Sequence, residues 1–138
     1  MNFLYVAALA FGIALPAGAQ APAVLVGQPV AALVDDTAVA VLIRQASGGR
    51  QGIMARRLRN PGPALAQAED GWVYGWTCAP PGCGHEDLFI AWHADVRRVM
   101  FMLVDEGAPT YSVPPRSSPW PLALQEPLAA FRAALGAR

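Results

Sequence analysis

Cys78, Cys83, His85 and His93 are the only cysteines and histidines in the chain, and three of the four fall in one stretch, Trp76-Thr77-Cys78-Ala79-Pro80-Pro81-Gly82-Cys83-Gly84-His85-Glu86. Thiols at this spacing can close a disulfide, bind a soft metal or supply a nucleophile. A Cys2His2 set of Cys78, Cys83, His85 and His93 has separations unlike those of common zinc modules. A nucleophilic Cys78 would need a reducing compartment.

The carboxylates suggest little acid–base chemistry. Eight of the ten acidic residues form the adjacent pairs Asp35-Asp36, Glu69-Asp70, Glu86-Asp87 and Asp105-Glu106. Neighbours on a strand point to opposite faces, so such pairs make poor catalytic dyads. No serine sits in a nucleophile elbow, and no glycine motif is suited to a phosphate. The expectation is a protein that is not an enzyme, with no cofactor and no bound metal. All ten basic residues are arginine, and ten acids balance them to a net charge of zero. Arg56, Arg57 and Arg59 cluster, as an anion site or as a solvated strand end, but the balanced charge carries no nucleic-acid footprint.

Redox setting follows from the N-terminus. Phe3 to Leu15 is apolar and uncharged, then Pro16 and Gly18 break the run. Ala17-Gly18-Ala19 and Ala19-Gln20-Ala21 both offer small residues for cleavage, the pattern of a secretory signal peptide over residues 1–21. Met1-Asn2 lacks the usual basic residue. Thirteen apolar residues are too few to span a bilayer, which takes about 20. The expectation is export to the periplasm, no membrane association after cleavage, and a single domain over residues 22–138. Two cysteines in such a chain are expected to pair. The small ring removes little unfolded-state entropy, on the order of 2 kcal/mol, so its use is to fix local shape.

The elements that must hold this ring read as a sheet with helices. Ala23 to Val34 is apolar and ambiguous. Asp36 can cap a helix over 37–46 packed by Val39, Leu42 and Ile43, with Gly48 and Gly49 as its stop. Residues 50–63 carry the arginines and end in the turn Asn60-Pro61-Gly62-Pro63. Ala64–Ala68 is a weak strand, and Asp70-Gly71 signals a hairpin. Trp72–Cys78 alternates, with Trp72, Tyr74, Trp76 and Cys78 on one face. Leu88–Trp92 is the next strand. Arg98–Val104 is apolar on both faces and needs cover on both, from helices or from a second copy, so a homodimer stays open. Thr110–Val113 is an edge strand stopped by Pro114-Pro115. Leu128, Phe131 and Leu135 recur on a C-terminal helix that starts near Pro127.

Within the ring, Pro80 and Pro81 fix φ and lack an N–H, and Gly82 permits a turn. A loop built so is ordered before it meets a partner, which lowers the cost of binding. The same construction also serves as a stiffened hairpin turn with no partner.

The Cys-x-Pro-x-x-Cys loop, the aromatic strand Trp72–Cys78 before it and the strands Asp87–Trp92 and Arg98–Glu106 after it resemble the inhibitor of vertebrate lysozyme family of bacterial periplasmic proteins. The resemblance extends loosely over residues 37–138. It implies an α+β fold: a central antiparallel sheet of about five strands, helices packed against it, and a protruding disulfide-closed loop. It also implies a protein partner, a c-type lysozyme whose active-site cleft receives the loop, or else a lytic transglycosylase. The partner-binding residues would be Cys78, Ala79, Pro80, Pro81, Gly82, Cys83, His85 and Glu86.

At the tip the sequence departs from the family pattern Cys-Lys-Pro-His-Asp-Cys. Ala79, Pro81 and Gly82 stand where the family has Lys, His and Asp. His85 is the expected replacement for the missing imidazole, with Glu86 and Asp87 adding acidity that suits a basic lysozyme surface. His85 as a plain polar residue at a strand start is the other reading. Equally open is a periplasmic binding module that keeps the scaffold for another target, or for none.

Overall fold

Five strands form one antiparallel sheet in chain order in a computed structural model that describes residues 22–137. The strands are β1 (Ala66–Gln67), β2 (Trp72–Cys78), β3 (Glu86–His93), β4 (Arg98–Asp105) and β5 (Ala108–Val113). The expected signal segment 1–21 lies outside the described residues. Successive strands pair in register, with Cys78 opposite Asp87, Trp72 opposite His93, and Glu86 opposite Asp105. The α+β architecture expected from the sequence is the one observed.

The period-two pattern explains why the sheet has two cores rather than one. Alternate residues of a strand face opposite sides. Val73, Leu88, Ile90, Trp92, Val99, Phe101 and Leu103 face one side. There they meet Leu33, Val39, Ile43, Met54 and Leu58 from α2 (Ala32–Asp35), α3 (Thr37–Ala46), α4 (Gln51–Arg57) and the residue after it. The short helix α1 (Pro22–Leu25) adds Leu25 to the same side. Phe89, Ala91, Met100, Met102 and Val104 face the other side, against Leu124, Leu128 and Phe131 of α5 (Gln125–Gly136) and its entry turn. Both faces of β4 are therefore covered by this chain's own helices. Burying a side chain the size of Phe131 contributes about 1.5–3 kcal/mol, which is what holds α5 on the sheet.

Local signals set the helix and turn positions. The Asp36 carboxylate accepts from the amides of Ala38 and Val39 at 2.9 and 3.3 Å and starts α3 where the cap residue predicts. The two-residue turn Glu106-Gly107, with φ of 49° and 80°, joins β4 to β5 in the geometry that suits twisted hairpins.

One segment departs from expectation. Residues 51–57 form helix α4, so Arg56 and Arg57 do not lie at a strand end, and Arg57 is buried rather than solvated. Met54, Arg57 and Leu58, at i, i+3 and i+4, share the buried stripe of a short helix. Gly52 and the two arginines hide that stripe in the sequence.

Candidate functional site: the loop between β2 and β3

The stretch between β2 and β3 is a loop with an open tip and a fixed base. Cys78 and Cys83 are joined by a disulfide, as expected, with their Cα atoms 4.8 Å apart. The Gly82 amide donates to the Ala79 carbonyl at 3.0 Å and closes a turn around Pro80 and Pro81. Pro80, Pro81 and Gly82 are exposed, and a Cβ built at Gly82 would meet nothing within 4 Å. The loop's face toward Pro61, Pro63 and Trp76 borders a cleft of about 310 Å³.

At the base, every backbone strand end has a partner. The Ala79 amide donates to the Glu86 carbonyl at 3.0 Å. On the opposite edge the Cys78 amide donates to the Pro61 carbonyl at 2.8 Å. That approach explains Gly62: a Cβ there would collide with the Trp76 carbonyl oxygen. Gly84, at φ 107°, donates its amide to the Asp87 Oδ2 at 2.9 Å.

Arg57 enters this base from α4. It is 3% exposed. One terminal nitrogen donates to the carbonyls of Asp87 at 2.9 Å and Val104 at 3.1 Å, and the other pairs with Asp105 Oδ1. Its own carbonyl accepts from the Thr77 hydroxyl at 2.7 Å. Arg57 therefore does not form a surface anion site, because it is buried and both of its terminal nitrogens are bonded inside the protein.

The flanking acids divide between surface and interior. Glu86 is exposed and lies 3.4 Å from Arg56, a solvated pair of the kind worth little. Asp87 is fully buried, so it lends no acidity to the surface, contrary to the sequence expectation. Strand alternation sends Glu86 out and Asp87 in. Burial pushes the Asp87 carboxyl above its ordinary value, against the opposing pull of the Gly84 amide and the Arg57 guanidinium. Burial also pushes Asp105 upward, but the Thr110 hydroxyl and Arg57 outweigh it and hold that carboxyl below its ordinary value. His85 is about half exposed and stands beside the β4–β5 turn, its Nδ1 3.4 Å from Glu106 Oε2. The Glu106 amide donates to the His85 carbonyl at 2.7 Å.

The possible Cys2His2 grouping is not assembled. His93 lies at the far end of β3, opposite Trp72, with its ring edge-on to that indole. Among the described residues, the Cys, Asp, Glu and His side chains that converge within 4.8 Å as a set are Cys78, Cys83 and Asp87. Both sulfurs of that set are in the disulfide.

Arg57 and Asp87 are the residues that sequence reasoning missed. The signal for Asp87 was the alternation of Glu86-Asp87 on a strand. For Arg57 it was the Met54–Arg57–Leu58 stripe.

A two-cored antiparallel sheet that carries a disulfide-closed loop with Pro80, Pro81 and Gly82 exposed defines a small α+β protein. The family model described as Inhibitor of vertebrate lysozyme (Ivy) matches residues 38–134, and the chain belongs to that family. No curated protein and no solved structure matches it. The family is one of lysozyme inhibitors, not of enzymes, so its implied partner is a protein, lysozyme.

Proposed function

We propose that the chain is a periplasmic inhibitor of c-type lysozyme that presents the Cys78–Cys83 loop to the active-site cleft. Membership of the inhibitor family supports the role. The observation that carries the mechanism is the contrast within the loop: Pro80, Pro81 and Gly82 are exposed, while the disulfide and the backbone bonds of Ala79 and Gly82 fix their shape. Little conformational freedom is then lost on binding. Pro81 and Gly82 offer no imidazole or carboxylate to a lysozyme's catalytic acids. His85 is the nearby side chain able to supply a polar contact, with Glu86 and Glu106 as exposed carboxylates facing a basic partner.

The test is inhibition of c-type lysozyme by purified protein, beside Gly82→Arg, His85→Ala and a heat-inactivated control. The wild type is expected to inhibit, and Gly82→Arg to lose inhibition at an unchanged melting temperature. Equal potency of His85→Ala would remove His85 from the contact. Absence of binding to any muramidase would sink the inhibitor reading. The exposed tip without an imidazole also favours a second reading, in which the same loop serves a different muramidase such as a lytic transglycosylase. A pull-down against a panel containing both enzyme classes separates the two.

A further inference from the structure

We propose that Arg57 is a positioning residue for the recognition loop: it touches no partner but sets the frame from which the loop leaves the sheet, making α4 part of the recognition apparatus. This rests on the loop being the contact surface, and it adds a residue that the loop motif does not contain.

Burying a cation costs desolvation free energy. Replacing a buried ion pair by apolar residues of similar volume is often neutral or stabilising. A guanidinium at this position is therefore a poor device for stability alone. What it supplies is direction. Its planar fork reaches the Asp87 carbonyl on β3, the Val104 carbonyl on β4 and the Asp105 carboxylate, while its own backbone carbonyl holds Thr77 on β2. The three strand ends around the loop are thus referenced to one residue, β3 and β4 through its side chain and β2 through its backbone, 20 to 48 residues distant in sequence.

The linkage continues outward. Asp87 receives Arg57 on its carbonyl and holds the Gly84 amide on its carboxylate, one residue from the disulfide. Beside it, the β4–β5 turn carries Glu106, whose amide holds the His85 carbonyl. Moving the β3 and β4 ends relative to each other therefore moves both the ring and His85. Lysine cannot replace this function, because a single ammonium on a flexible stem lacks the fixed fork.

The experiment compares wild type with Arg57→Met and Arg57→Lys in the purified protein, using two readouts. The first is hydrogen exchange of the Ala79 and Gly84 amides in the free protein, against Ile90 and Phe101 at the sheet centre. In both variants the loop amides are expected to exchange about tenfold faster or more, over and above the common increase that any loss of global stability gives at the sheet centre. The second is affinity for whichever muramidase the wild type binds, expected to fall about tenfold through the cost of ordering the loop. Should Arg57→Met fail to fold, Asp105→Asn weakens a single bond of the same fork and is expected to show the same pattern more weakly. Unchanged loop exchange in a folded variant, or loosening of loop and sheet centre in equal measure, overturns the proposal. If the wild type binds no muramidase, the inhibitor reading fails, and the exchange arm still decides whether Arg57 orders the loop.

Discussion

The tip and the base of the Cys78–Cys83 loop are separated by only a few residues, yet they follow opposite physical rules. At the tip, Pro80, Pro81 and Gly82 face solvent, and nothing lies within 4 Å of where a Gly82 side chain would start. At the base, Arg57, Thr77 and Asp87 are buried and bonded to one another's strands. A residue at the tip can change without disturbing anything else in the molecule. A residue at the base cannot. The difference teaches how one scaffold accommodates Pro81 and Gly82 where its family has His and Asp: the frame is held from behind, so the tip's chemistry is free to vary.

The contrast breaks first at Arg57. Arg57→Ala would take the guanidinium from the buried carbonyls of Asp87 and Val104 and from the Asp105 carboxylate, which keeps the Thr110 hydroxyl. Removing a buried donor from such acceptors costs on the order of 2 kcal/mol, and urea unfolding is expected to show a loss of that size. A loss under about 1 kcal/mol would mean that water replaces the guanidinium and the base is not a closed network.

A smaller effect comes from pH, and the two base carboxylates act in opposite directions. Asp105 is held below its ordinary value of 3.8, so its ionised form favours the folded state. Its contribution is present above about pH 3.8 and is lost as pH falls through the lowered value. Asp87 lies above 3.8, so folding favours its protonated form. That contribution is full below about pH 3.8 and is lost as pH rises through the raised value. Asp87→Asn keeps an acceptor for the Gly84 amide and removes the buried charge. Thermal melts are expected to show this variant at least as stable as wild type at pH 7, without the wild type's gain on mild acidification. The same gain in both proteins would contradict the assignment to Asp87.

The smallest change is expected at the tip. Gly82→Ala should shift stability by no more than about 0.5 kcal/mol, the range of surface substitutions that touch nothing. A larger loss measured by urea unfolding would show that the tip carries structure of its own.

What the sequence made legible follows the same division. The alternation of Trp72–Cys78, the apolar run of Arg98–Val104 and the Asp36 cap are local signals, and each element formed where its signal stood. The disulfide followed from two cysteines in a chain read as exported. Arg57 was different, because its burial depends on partners on three strands that only the folded sheet brings together. A charged residue beside Arg56 and Arg59 looks like solvated surface until those partners are in place. Asp87 was half legible: alternation required one of Glu86 and Asp87 to point inward, but not which one.

The Pro61–Pro63 segment has one more consequence. β1 pairs with β2 only at Ala66 and Gln67, which by itself would leave much of the outer side of β2 open. The Pro61 carbonyl takes the Cys78 amide at one end, and the Ala68 amide takes the Trp72 carbonyl at the other. An open strand edge is a template for any extended chain, including another copy of the same protein. By occupying both ends of this one, the segment after α4 leaves little of that edge open for another chain to pair with.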